Sequence, residues 1–374
     1  MRKSLKENAA RKIRVAIAGI GNCASALVQG IEFYGKNTGV VASDLPHHQI
    51  GAYGVSDIEV AAAFDIDKRK VGKPVNEAIF AKPNCSYIFE KNLPAGSTIV
   101  QMAPLLDGVS DHMLQYREEQ TFCISNAPPI SVSQVLNEAN VDVLVCFLPV
   151  GSQKGGEHYA NACLETGVAF VNCAPVFIAS NSEWARKFRA SGLPIIGDDI
   201  KSQFGATMLH RILVRSLSDR GLKIDNTYQI NTGGNTDFLN MLDSTRLQSK
   251  RISKTESVQS QLDSRLNGAN IHIGPSDYVQ WQNDNKVCFL RIEWRGFGNV
   301  PMNLEARLSV EDSPNSAGIV IDAVRCARLA LDQKESGPLE VTSAYMMKHP
   351  PSQMRDDDAA KAFEQFLINN IPIG

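Results

Sequence analysis

The chain has 374 residues, is 43% hydrophobic and 21% charged, and carries a formal net charge of −2. That length fits two domains and a large core, and the composition is that of a soluble globular protein. The near-neutral balance offers no global field for nucleic acid or an anionic membrane, and no run of about eighteen apolar residues marks a membrane span.

In chain order, residues 1–12 are charged and lack the apolar core of a signal peptide. Residues 14–18 form a short apolar strand, after which Ala24, Leu27, Val28 and Ile31 recur at helical spacing. Residues 60–64 read as a second strand ended by Asp65, and residues 98–102 as a third. Residues 141–147 are apolar and β-branched, as a buried central strand requires. A helix over 156–164 and a strand over 168–172 follow. Strands that alternate with helices predict a mostly parallel sheet covered by helices.

The pattern changes after about Asp198. Residues 227–232, 287–294 and 304–310 alternate as half-exposed antiparallel strands do. A polar, basic stretch over 238–264 is predicted as one helix, and an Ala-, Ile- and Val-rich helix over 315–331 is predicted to return to the first layer. The fold class is α/β: a Rossmann-like dinucleotide-binding domain over 1–198 and 311–374, with an inserted α+β domain over 199–310.

Gly19-Ile20-Gly21-Asn22-Cys23-Ala24 fits G-x-G-x-x-G/A between a strand and a helix. Gly19 permits the tight turn, Gly21 lets backbone approach a pyrophosphate, and the small Ala24 lets helix and strand pack closely. The helix N-terminus then faces the anion. Asp65 is placed to take a ribose hydroxyl and would repel a 2′-phosphate, which favours NAD over NADP. The acidic residue normally follows the turn by about 20 residues. Here it comes later, so residues 35–58 read as an insertion. A glycine-rich βα turn without a ligand is the alternative for the motif alone.

Arg246, Lys250 and Lys254 are spaced i, i+4, i+8 and would share one helix face, where like charges repel. The spacing by itself fits either a solvated basic face or one that an anion draws together. Gly197-Asp198-Asp199-Ile200-Lys201-Ser202 reads as a strand end and helix start, suited to capping or to a phosphate. Residues 231–237, Asn-Thr-Gly-Gly-Asn-Thr-Asp, form a polar turn. Cysteines stand at 23, 85, 123, 146, 163, 173, 288 and 326, with no C-x-x-C pair. This argues against a zinc knuckle and for a reducing cytoplasm. His47-His48 lacks metal-site spacing.

With the blocks at 272–278 (His-Ile-Gly-Pro-Ser-Asp-Tyr) and 311–318 (Glu-Asp-Ser-Pro-Asn-Ser-Ala-Gly), these segments identify a resemblance. From about Val15 onward the chain resembles the myo-inositol-phosphate synthases, in the shorter bacterial and archaeal form. The resemblance implies an isomerase that cyclises D-glucose 6-phosphate to a myo-inositol monophosphate by oxidation, enolisation, intramolecular aldol closure and re-reduction. It implies tightly held NAD and a homotetramer built through the α+β domain. The family's catalytic lysines fall on Lys250, Lys254, Lys286 and Lys348, its carboxylates on Asp199, Asp237 and Asp312, and its site amide on Asn235. The cofactor turn is Gly19, Gly21, Asn22, Cys23 and Ala24, with Asp65. Substrate phosphate falls to Ser202, Thr207 and Lys254. A divalent or monovalent cation is implied near Asp312. Lys250 is the expected proton partner at C5, and Lys286 and Lys348 serve the aldol oxygen. The product would feed phospholipid, a thiol cofactor or a compatible solute. The alternatives are an NAD-dependent sugar-phosphate or cyclitol dehydrogenase with net redox turnover, and a non-catalytic NAD-binding protein.

Overall fold

The structure of the chain is a computed structural model that describes residues 12–36 and 44–370. The larger of its two sheets contains β1 (Ile13–Ala18), β2 (Ile58–Asp65), β3 (Val100–Met102), β4 (Val143–Cys146), β5 (Ala169–Asn172), β6 (Pro194–Ile196) and β11 (Gly337–Pro338). Their order is β11-β6-β5-β4-β1-β2-β3, and every pairing is parallel. Successive side chains point to opposite faces, so Ile13, Val15 and Ile17 enter one core while Ala16 and Ala18 enter another. The first face is covered by α1 (Asn22–Lys36) and α8 (Asp312–Gln333). The second is covered by α2 (Val132–Glu138), α3 (Gln153–Thr166) and α4 (Ser182–Ala190). Both faces are buried, which is why β4 reads Val-Leu-Val-Cys rather than alternating.

From β1 the chain builds outward through β2 and β3, then crosses to β4 on the other side. Beside β1 the strand order therefore reverses, and the crevice beyond the strand ends there is the place where such sheets take ligands. The α8 helix begins three residues before the predicted 315, at Asp312, and packs against α1 on the first sheet.

The smaller sheet has β7 (Lys223–Gly233), β8 (Ile271–Tyr278), β9 (Asn285–Arg295) and β10 (Pro301–Glu311) in the order β10-β9-β7-β8. The pairs β7–β9 and β9–β10 are antiparallel, as the alternation predicts, while β8 joins β7 in parallel. One face packs on α5 (Ala206–Asp219) and α7 (Gln248–Gln259) through Val214, Val258, Ile273, Leu290 and Ile292. The long edge strand β10 stays largely exposed.

The single helix predicted over 238–264 is not formed. The stretch divides into α6 (Thr236–Asn240), a 3-10 turn at Ser244–Arg246, and α7. Asp243 breaks it by capping the turn, its carboxylate accepting from the Thr245 N–H at 3.0 Å and from Thr245 Oγ1 at 2.6 Å. Of the insertion read at 35–58, residues 47–53 lie on α8, where Arg325 donates to the carbonyls of His47 and His48 at 2.7 and 3.0 Å, while residues 55–57 pack against α1. Residues 37–43 of that insertion, and residues 1–11 of the charged opening stretch, lie outside the described residues. After β11 come α9 (Glu340–Met346) and α10 (Asp356–Asn369). No described helix is long and apolar enough to cross a membrane.

Candidate active site

A cleft of about 1690 Å³, open to solvent, lies between the two sheets at the carboxyl ends of β1, β2, β4 and β5. Gly19 forms its floor with φ +91°, and a Cβ there would stand 2.9 Å from the Phe147 carbonyl oxygen just past β4. A Cβ on Gly21 would meet nothing within 4 Å. The first turn of α1 contains no acidic residue, so its N–H groups and the positive end of its dipole face the cleft uncompensated. These features fit a dinucleotide pyrophosphate. Ala24 is fully buried in the core of the first sheet face and does not line the cleft, whereas Asn22 and Cys23 do. Asn22 Oδ1 accepts from the N–H groups of Cys85 and Ser86 at 2.8 and 3.1 Å, so its side chain is committed to that segment. Burial and the nearby Asp284 and Asp312 push the Cys23 thiol up to about 12, which keeps it neutral.

Asp65 closes β2 against the turn. Its Oδ2 accepts from the Ile20 N–H at 2.7 Å, and its Oδ1 from Ile66 and Asp67 at 2.7 and 2.9 Å. The late position in sequence is thus no obstacle in space. Lys70, unnoticed in the sequence, is buried beneath the same turn and donates to the Ile20 carbonyl at 2.7 Å.

Deeper in the cleft the four predicted lysines converge: Lys250 and Lys254 from α7, Lys286 from β9 and Lys348 from the segment after α9. Three carboxylates answer them. Lys348 Nζ lies 2.9 Å from Asp199, Lys250 Nζ 3.5 Å from Asp237, and Lys286 pairs closely with Asp312. Lys254 makes no ion pair among the described residues and is 8% exposed. Burial, then repulsion from Lys250, Lys286 and Lys348, draws it down to about 7. Lys250 goes the other way: against the cost of burial, Asp237, Asp199 and Asp312 raise it above the ordinary lysine value. Burial opposes ionisation of Asp199, yet Lys348, Lys250 and the Ser253 hydroxyl at 2.6 Å hold it at about 2. Burial lowers Lys348, and Lys250 and Lys286 add to this against Asp199.

The 197–202 block is a latch, not a simple helix start. The backbones of 198–201 and 346–349 pair: Asp198 and His349 exchange N–H···O bonds at 3.0 Å, and Lys201 N–H meets the Met346 carbonyl at 2.8 Å. Asp198 turns inward and accepts from Asn172, from the N–H groups of 178–180 and from Ser180 Oγ. Beyond it, Ser202 and Thr207 line a small recess at the α5 N-terminus, flanked by Lys286 and Lys348. Gly205 caps α5 without a side chain, which leaves the first-turn N–H groups open to an anion.

Two predicted assignments change. Arg246 does not share the Lys250 face: it sits in the 3-10 turn, and its guanidinium donates to the carbonyls of Val150 and Asp107. Asn235 lines the cleft, and its amide is engaged only in part by local groups. Its Oδ1 caps α6 through Asp237 and Phe238, and its Nδ2 donates to Asp284 at 3.0 Å. The cation implied near Asp312 is not matched by the donors present. Asp312 is occupied by the Lys286 ammonium, and no group of three or more His, Cys, Asp or Glu converges to hold a metal among the described residues. Asp284 is the residue the sequence did not reveal. Nearly fully buried, it accepts from Asn235 and from Ser313 N–H and Oγ, each at 3.0 Å. Burial and the charge of Asp312 raise it to about 7. Its signal was only that it stands two residues before Lys286, directly ahead of β9.

The sequence pattern of the family described as Myo-inositol-1-phosphate synthase matches residues 205–313. The inositol-3-phosphate synthase of Mycolicibacterium smegmatis is 50% identical over 363 residues, covering 96% of this chain and 98% of that relative. That of Corynebacterium glutamicum is 50% identical over 362 residues, covering 95% and 98%. The solved structure of a myo-inositol-1-phosphate synthase-related protein from Thermotoga maritima has the same fold. Its TM-score is 0.77 at 23% identity, over 96% of this chain and 98% of that one.

Proposed function

The chain belongs to the myo-inositol-1-phosphate synthase family, and we propose that it cyclises D-glucose 6-phosphate to 1D-myo-inositol 3-phosphate with NAD held over Gly19 and Gly21. The observation that carries this reading is the convergence of four lysines and three carboxylates beside a glycine-rich turn, with Lys254 in no ion pair among the described residues. A lysine that completes its charge when a dianion arrives suits a phosphate ester. Bound at the turn, NAD would take a hydride from C5 of the open-chain sugar and return it after ring closure.

The chain supplies the rest. Ser202, Thr207 and the first turn of α5 bind the phosphate, with Lys254 as the ammonium free to meet it. Lys250, held protonated, cannot accept a proton, so its partner Asp237 takes the C5 hydroxyl proton and gives it back to the C5 oxygen on re-reduction, while the proton that leaves C6 on enolisation ends on the C1 oxygen after closure. Lys250, held as an ammonium, also stabilises the enolate oxygen. Lys286 and Lys348 stabilise the oxygen that develops at C1 during closure. Fixed cations in a water-poor site are often the largest catalytic contribution. Asp65 meets the ribose. Asp199 and Asp312 orient Lys348 and Lys286. Residues 1–198 and 311–374 serve as the dinucleotide domain and 199–310 as the inserted domain; the membership of the two sheets supports that division. The long exposed edge of β10 supports assembly into a homotetramer through the second sheet.

The test is to incubate purified protein with glucose 6-phosphate and NAD, identify the product and follow nicotinamide absorbance. Inositol phosphate without net NADH is expected. NADH build-up without cyclisation would instead mark a dehydrogenase, and no reaction a binding protein. Lys250→Ala and Lys286→Ala should bind NAD and lose cyclisation; near-normal turnover in either removes that lysine from the mechanism.

A further inference from the structure

Arg246 stands at the seam between the two halves of the cleft. Its Nε donates to the Val150 carbonyl at 2.8 Å, and its Nη2 to the Asp107 carbonyl at 2.9 Å and to Ser152 Oγ at 3.4 Å. Val150 and Ser152 lie in the loop from β4 to α3, directly after the Phe147 carbonyl that confines Gly19. Asp107 follows β3, and its carboxylate accepts from the Lys154 and Gly155 N–H groups at 2.8 and 2.9 Å, which ties that segment to the start of α3.

The fit is close. Gly151 has φ +85°, and a Cβ there would come within 2.7–3.0 Å of the Arg246 side chain. Beneath the guanidinium, Val150 packs with Phe238, Met241 and Leu247 in a small core of its own. Asn240 adds a second bond to the Val150 carbonyl at 2.9 Å. Lys250 and Lys254 lie one and two turns further along. The arginine thus joins the cofactor-side loops to the entrance of the lysine helix.

We infer that Arg246 is a positioning residue that couples the two ligand sites, so that a dinucleotide at the Gly19 turn and a sugar phosphate at the lysines bind cooperatively. This rests on the reading of the site proposed above. A ligand that fixes the β4–α3 loop fixes Val150, and through Arg246 the start of α7. The lysine helix then has less order to gain when phosphate arrives. Such coupling is reciprocal and is measured as a ratio of affinities.

Calorimetric titration of NADH, with and without saturating glucose 6-phosphate, gives that ratio without turnover, because NADH cannot accept hydride. In the parent protein the sugar phosphate should tighten NADH about fivefold or more. In Arg246→Ala the ratio should fall below about twofold, while each ligand alone binds nearly as before. A merely structural arginine would weaken each ligand alone and leave the ratio intact. Arg246→Lys keeps the charge without the planar fork and should retain only part of the ratio. If thermal unfolding shows Arg246→Ala to be unfolded, Arg246→Lys and Asp107→Ala carry the test, the latter freeing the segment from α3. A parent ratio near one, or an unchanged ratio in the variants, overturns the inference. A parent that binds neither ligand overturns the reading of the site instead.

Discussion

Asp199 and Lys348 meet twice: ammonium to carboxylate at 2.9 Å, and Lys348 N–H to the Asp199 carbonyl at 2.7 Å. The backbone bond fixes where the lysine begins, and the ion pair fixes where it ends. Ser253 joins the same carboxylate from α7, so one anion sets two walls of the cleft.

Asp199→Asn separates these roles. Asp199 has φ +62°, a conformation Asn tolerates, so the backbone should survive. Lys348 and Ser253 would lose their anion, and kcat should fall about 100-fold, as on loss of one oxyanion donor, with little change in KM. Steady-state kinetics check this; a kcat near that of the parent would show that the pair has no part in turnover.

Lys254 predicts a pH dependence. The unfolded chain holds this proton to about 10.5, the folded chain only to about 7. Between those values the unfolded state binds more protons, so the Lys254 contribution to stability rises with pH across that window, and below it the full cost of the buried charge is present. A phosphate dianion favours the ammonium. Sugar-phosphate binding above pH 7 should therefore take up a proton and weaken by up to about tenfold per pH unit. Calorimetry at pH 8 in two buffers of different ionisation enthalpy should find this uptake in the parent and none in Lys254→Met.

The two turn glycines should fail differently. Gly19→Ala puts a Cβ 2.9 Å from a carbonyl oxygen at positive φ. It should cost about 1–3 kcal/mol in urea unfolding. Gly21→Ala meets open space, so stability should hold within about 0.5 kcal/mol. Its methyl enters the room of the pyrophosphate, and NAD affinity should drop at least about tenfold. Unaltered NAD affinity in Gly21→Ala would remove the cofactor from that turn.

Asp284→Ala leaves the Asn235 amide and two Ser313 donors without their buried acceptor. A loss of about 2–4 kcal/mol is expected. The Asp284 carboxyl keeps its proton to about 7 in the fold, against 3.8 unfolded. Its own stabilising share is full below the lower value and lost as pH rises through the upper. The cost of the substitution should then be greater at pH 5 than at pH 8. Equal stability of parent and variant would deny Asp284 its structural place.

What was readable in the sequence was set by local chemistry. Strand β4 is apolar because both sheet faces are buried, and Gly19 shows its turn because φ +91° excludes other residues. Lys250 and Lys254 kept their helical spacing, while Arg246 left it, because the Asp243 cap ends one helix before the next begins. Lys286 and Lys348 come from distant segments, and resemblance rather than periodicity placed them beside α7. Asp284 escaped because its donors, Asn235 and Ser313, belong to other elements. β8 escaped because Gly274 and Pro275 interrupt its sequence, residues that ordinarily argue against a strand.

Asp65 has one more consequence, for redesign. An exchange from NAD to NADP ordinarily begins by removing the acid at the end of the second strand. Here that acid also holds the N–H groups of Ile20, Ile66 and Asp67. Swapping it would slacken the glycine turn together with the proposed ribose contact. On the proposed reading, cofactor preference is mechanically entangled with the shape of the Gly19 loop, and a change of preference needs a second substitution to hold Ile20 in place.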